Sequence, residues 1–134
     1  MYKLSKLENI GVKFAALLLE AGIEDQEQLL DFCRLRNKRL ELAQKTGINP
    51  KLIYKWTIEA DLARITGIGG EYAELLQYCD IDSVQTLAVM DAEKLQQILE
   101  DENKKTKLVR HLPSLNQIET WIAQAKKLPP VVEK

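Results

Sequence analysis

Apolar residues in this chain recur three and four positions apart, and the recurrence is broken at short intervals by glycine or by polar residues suited to helix starts. The pattern predicts a short helix over Tyr2–Asn9, stopped by Gly11, and a second over Val12–Ala21, ended by Gly22 where a left-handed C-cap belongs. Asp25, with Gln28 three residues on, outlines a capping box for a third helix reaching to about Leu35. Asn37 is placed to open a fourth helix that Gly47 closes. Asn49-Pro50, an N-cap followed by proline at the first helical position, opens the helix that carries Trp56 on to Arg64. Helices then follow over Gly70–Cys79, over Ser83–Met90, over Ala92–Asn103 behind Asp91, and over Ser114–Lys127 with Gln117 behind its cap. Glu100–Lys107, reading EDENKKTK, is expected to be a loop or a frayed helix end, and Pro129-Pro130 to end the fold. No stretch alternates long enough to be a strand, so the expected class is all-α.

The apolar skeleton occurs twice. A shift of 58 residues lays Leu4 on Leu62, Ile10 on Ile68, Gly11 on Gly69, Ala15 on Ala73, Leu17-Leu18 on Leu75-Leu76, Ile23 on Ile81 and Leu29 on Leu87. Leu7 over Ile65 and Phe14 over Tyr72 are conservative pairs at the same spacing, and Ile53-Trp56-Ala60 returns as Ile118-Trp121-Ala125 at an offset larger by seven. One supersecondary unit used twice explains this. It gives a single all-helical domain of two repeats, 1–61 and 62–128, with a C-terminal tail over 129–134.

Two segments carry a resemblance. Leu7-Glu8-Asn9-Ile10-Gly11-Val12-Lys13-Phe14-Ala15 and Ile65-Thr66-Gly67-Ile68-Gly69-Gly70-Glu71-Tyr72-Ala73 resemble the helix-hairpin-helix signature, a Gly-apolar-Gly turn followed by a helix with a small-residue face. The whole chain is similar to a family of duplicated helix-hairpin-helix proteins known only as a domain of unknown function. The resemblance implies a tandem helix-hairpin-helix fold, two pseudo-repeats in a small SAM-like helical bundle, and implies no activity. Glycines permit the sharp turn, and the isoleucine between them can anchor the loop in the core. The next helix then offers unpaired N–H groups and the positive end of its dipole to a phosphate oxygen.

Carried over position by position, the resemblance makes Asn9, Gly11, Val12 and Lys13 the candidate nucleic-acid contacts of the first turn and Gly67, Gly69 and Gly70 those of the second. Asn9 stands where the first turn's first glycine would be, and Glu71 and Glu74 flank the second turn with charge that repels phosphate. The other reading is that both hairpins are tight helix connections packed through Ile10 and Ile68. Arg34, Arg36, Lys38 and Arg39 form the densest basic cluster. They could meet a phosphate backbone or an acidic partner, or form a solvated junction paired with Asp31 and Glu41. Lys104, Lys105, Lys107, Arg110 and His111 follow directly on Glu100, Asp101 and Glu102, a mixed-sign run of the kind usual on surfaces.

Charge narrows the choice of partner. The 134 residues carry 19 basic and 20 acidic side chains, a formal net charge of -1, so no global field draws in nucleic acid or an anionic membrane. At 134 residues the chain is long enough to bury on the order of two thirds of its unfolded surface, and 46% hydrophobic residues is ordinary for a globular protein. Cys33 and Cys79 form no CxxC pair and His111 is the sole histidine, so no metal site and no cofactor are expected. No catalytic residues are expected either. Met1 to Ala16 is crossed by Lys3, Lys6, Glu8 and Lys13 and lacks the apolar run of a secretory signal, and Phe14–Leu19 is too short to span a bilayer. The expectation is a non-enzymatic interaction module without membrane insertion, cytoplasmic or in an equivalent stromal compartment. A protein partner is favoured over weak, sequence-independent DNA or RNA binding through the first hairpin and the basic cluster.

Overall fold

A computed structural model describes residues 10–134. The helix expected over Tyr2–Asn9 and the candidate Asn9 lie outside the described residues. The chain is all-helical, with eight helices and no β-strand among the described residues: α1 (Gly11–Glu20), α2 (Gln26–Cys33), α3 (Arg36–Thr46), α4 (Pro50–Leu62), α5 (Gly70–Tyr78), α6 (Val84–Ala88), α7 (Ala92–Thr106) and α8 (Leu115–Ala125). It divides into two compact units, one running through Asp61 and taking in Val131–Lys134, the other Leu62–Pro130.

Local chemistry sets most of the helix ends. Asp25 accepts the Gln28 N–H at 2.9 Å, Ser83 that of Thr86, Asp91 that of Lys94 and Ser114 that of Gln117, each satisfying one N–H that the helix leaves without a partner. Asn49 accepts from Lys51 at 2.9 Å at the head of α4. Ser114 and Gln117 close a full capping box. Gln28 instead reaches one residue further back, to the Glu24 N–H at 2.7 Å.

Helices α1 and α5 end alike. Ile23 N–H bonds the Leu18 carbonyl and Gly22 N–H that of Leu19, both at 2.9 Å, with Gly22 at φ +90°. In α5 Ile81 N–H bonds Leu76 and Asp80 N–H bonds Gln77, both at 3.0 Å, with Asp80 at φ +63°. This double closure needs a left-handed residue, which glycine adopts freely and aspartate only at a cost. Ile23 and Ile81 are buried beside Leu18 and Leu76, the apolar contact that accompanies such a stop.

In the first unit Ile10, Leu18, Leu29, Cys33, Leu42, Ile53 and Trp56 form one buried cluster, with Phe14 packed against it. The Phe14 and Trp56 rings meet at 5.5 Å and 59°. In the second, α6 and α7 pack on α8 and α5 on α7. There Tyr72 meets Trp121 at 5.3 Å and 56°, and the Tyr72 hydroxyl donates to the His111 carbonyl at 2.8 Å. Tilted aromatic contacts of this kind add about 0.5–1.5 kcal/mol beyond the area they bury.

Most helices end within one or two residues of expectation, and two departures have a visible cause. Helix α3 opens at Arg36, not Asn37, because Leu35 is extended and its carbonyl already accepts from both Lys38 and Arg39 at 3.1 Å. EDENKKTK is helix almost throughout, since α7 runs to Thr106. Lys107 ends it at φ +52°, and the Asn103 amide clamps the N–H and carbonyl of Val109, both at 3.1 Å. Lys104 and Lys105 lie in its last turn, where positive charge meets the negative end of the dipole.

Candidate functional site

The two glycine turns present different surfaces. Ile10 and Ile68 are both buried and anchor their loops. In the first turn Gly11 takes φ +70°, and α1 begins with no side-chain cap among the described residues and no acidic residue in its first turn. Lys13 is exposed there and Val12 is 85% exposed. Ala16 and Leu19 continue an apolar stripe at helical spacing on the exposed side of α1.

The second turn is closed by its own neighbours. Gly67 sits at φ +101°, and a Cβ there would lie 3.0 Å from Trp121 Nε1, so the turn rests on the indole edge. Gln124 from α8 holds both main-chain groups of Thr66, accepting its N–H at 3.0 Å and donating to its carbonyl at 3.2 Å. Ile68 N–H bonds Ile65. Gly69 is the N-cap of α5 and Gly70 its first residue, with exposed Glu71 in the first turn and Glu74 buried. A carboxylate thus already complements the positive end of α5, where a phosphate would have to come.

The basic cluster at the α2–α3 junction comes apart. Arg34 and Arg36 are exposed. Lys38 pairs with Glu41 at 3.3 Å and lies over the Phe32 ring at 5.8 Å. Arg39 is only 5% exposed: it turns inward, against the solvated junction the sequence implied. Its guanidinium stacks on Tyr54 at 4.8 Å and donates to the carbonyls of Cys33 at 2.9 Å, Arg34 at 3.4 Å and Glu133 at 2.6 Å. Burial pulls its pKa down, while Tyr54, Cys33 and Glu133 act to hold the charge.

Glu133 was not visible as a site residue, since its partners Arg34, Arg36 and Arg39 stand 94 to 99 residues away. All its polar groups are engaged. Its N–H donates to the Arg34 carbonyl at 2.7 Å, its carbonyl accepts from Arg39, and its carboxylate accepts the Arg36 N–H at 2.9 Å. That carboxylate serves α3 as the N-terminal cap that Leu35 cannot supply. The Val131-Val132 pair after two prolines was the available signal for an extended segment seeking an apolar surface. A groove of about 330 Å³ adjoins this contact, floored by Leu40, Pro50 and Tyr54 and rimmed by Arg36, Arg39, Lys51 and Lys134.

Burial raises the thiols of Cys33 and Cys79 from the ordinary 9.0 to about 11, so both are protonated at neutral pH. Among the described residues no three His, Cys, Asp or Glu side chains come together as a metal site, and no helix is long and apolar enough to cross a membrane.

No curated protein and no solved structure matches the chain. The model of one protein family, described as a domain of unknown function (DUF4332), matches residues 8–128, and to that family the chain belongs.

Proposed function

We propose that the chain is a non-enzymatic module of two helix-hairpin-helix repeats that docks a protein partner. The observation that carries this reading is Arg39. The keystone of the densest basic cluster faces inward onto three main-chain carbonyls, which takes its charge away from any face that would track a phosphate backbone. The repeat is supported by the two aromatic pairs, Phe14 with Trp56 and Tyr72 with Trp121, which meet at nearly one distance and tilt. It is supported too by the identical closure of α1 and α5. The apolar stripe of Val12, Ala16 and Leu19 favours a protein surface over a polyanion. Free thiols at both cysteines agree with a cytoplasmic or stromal compartment.

One observation favours a second reading, weak nucleic-acid binding: the first turn has a helix start with no side-chain cap among the described residues beside exposed Lys13, with Arg34 and Arg36 also at the surface. Titration of labelled duplex and single-stranded DNA at low salt separates the two. The protein-binding reading expects affinity weaker than about 100 µM, the feeble end of non-specific binding. Tighter binding that falls with salt and is lost on Lys13→Glu would replace it with the nucleic-acid reading.

A further inference from the structure

We propose that the α2–α3 junction of the first unit is a glutamate-reading peptide cradle, filled in this structure by the chain's own segment 131–134 and open to an acidic extended segment of a partner protein. The inference deepens the protein-binding reading and rests on it.

The cradle reads one residue in full. Arg34 O takes the N–H of Glu133, the buried guanidinium of Arg39 takes its carbonyl, and the Arg36 N–H at the positive end of α3 takes its carboxylate. The first two contacts would hold any residue in extended form. The third selects a side-chain carboxylate, and glutamate in this structure has the length to reach it. Arg39 is also preorganised: the Tyr54 ring and the carbonyls of Cys33 and Arg34 fix its guanidinium whatever occupies the cradle. A rigid donor costs little entropy when a ligand arrives.

Room remains beyond the occupied position. The adjoining groove of about 330 Å³ has an apolar floor and a rim that keeps Arg36 and Lys51 once the tail has left, so a longer ligand meets positive charge as it continues. Acidic residues fit that rim. The cradle residues lie inside the family match, which ends at residue 128, while the segment that fills the cradle lies outside it. The tail therefore acts as an internal competitor that a partner must displace.

A fluorescence-anisotropy titration tests this with a labelled peptide copying residues 128–134 and the full chain in two forms, unaltered and Glu133→Ala. The altered chain, whose tail no longer offers the carboxylate, should bind the peptide saturably and about tenfold more tightly than the unaltered chain does. A peptide with glutamine in place of its glutamate, which leaves the protein untouched, should bind the altered chain about tenfold more weakly. Equal affinity for the glutamate and glutamine peptides, or equal binding to both forms of the chain, would show the contact to be an internal clasp and overturn the cradle. Failure here removes the cradle alone, because the DNA titration decides the protein-binding reading independently.

Discussion

The guanidinium of Arg39 donates to the main-chain carbonyl of Glu133 at 2.6 Å, joining residues 94 positions apart in the chain. A side chain that composition places in a solvated basic run is thereby a structural member of the first unit. Its removal should be felt accordingly. Arg39→Met leaves the carbonyl of buried Cys33 without this donor and releases the tail, and should cost about 2–3 kcal/mol in urea unfolding. Arg39→Lys, a single compact donor in place of a planar fork, should recover less than half of that. A loss below about 0.5 kcal/mol for Arg39→Met, the range of ordinary surface changes, would show the contact to be ornamental.

The left-handed residues make a paired prediction. Asp80 at φ +63° occupies the position in α5 that Gly22 occupies in α1, so Asp80→Gly should stabilise the second unit by about 0.5–1 kcal/mol, while Gly22→Ala should destabilise by about 1 kcal/mol. Thermal midpoints of the two variants should move in opposite directions.

Glycines 11 and 67 separate backbone strain from steric conflict. No described atom lies within 4 Å of a Cβ placed on Gly11, whereas one on Gly67 meets Trp121 Nε1 at 3.0 Å. Both have positive φ, so Gly11→Ala should cost about 1 kcal/mol and Gly67→Ala about 2 kcal/mol or more. Indole fluorescence should report displacement of Trp121 only in the second variant.

The buried thiol of Cys33 and the half-buried thiol of Cys79 set a pH dependence at the alkaline side. The folded pKa of Cys33 and of Cys79 is raised from 9.0 to about 11, so each folded thiol holds its proton more tightly than the unfolded one. Their contribution is complete below about pH 9 and disappears as pH climbs through about 11. Urea midpoints across that window should fall more steeply for the native chain than for a Cys33→Ala, Cys79→Ala double variant, and equal slopes would contradict the assignment.

What could be read along the chain was whatever a side chain does to its own neighbourhood. Asp25, Ser114 and Asn49 cap helices through contacts two or three residues long, and Gly22 and Gly47 end them through their own φ, so these elements were legible. The α3 helix was not, because Arg39 takes an inward position that periodicity reserves for apolar residues, and one of its partners, Glu133, comes from the far end of the chain. EDENKKTK looked like loop by composition, yet the Asn103 clamp on Val109 and the lysines of its last turn carry α7 through it. In the second glycine turn the glycines were visible, but not the Trp121 edge and Gln124 amide that close it. Glu133 was invisible for the reason that makes it interesting: nothing local needs it.

Amide-resolved NMR of the full chain, titrated in parallel with the glutamate peptide and with a DNA duplex, tests the protein-binding account most directly. The account predicts that excess peptide shifts the amides of Arg34, Arg36, Arg39 and Glu133, while the duplex leaves those of Gly11, Val12 and Lys13 in place. Shifts at Gly11–Lys13 with the duplex and none at the α2–α3 junction with the peptide would contradict it.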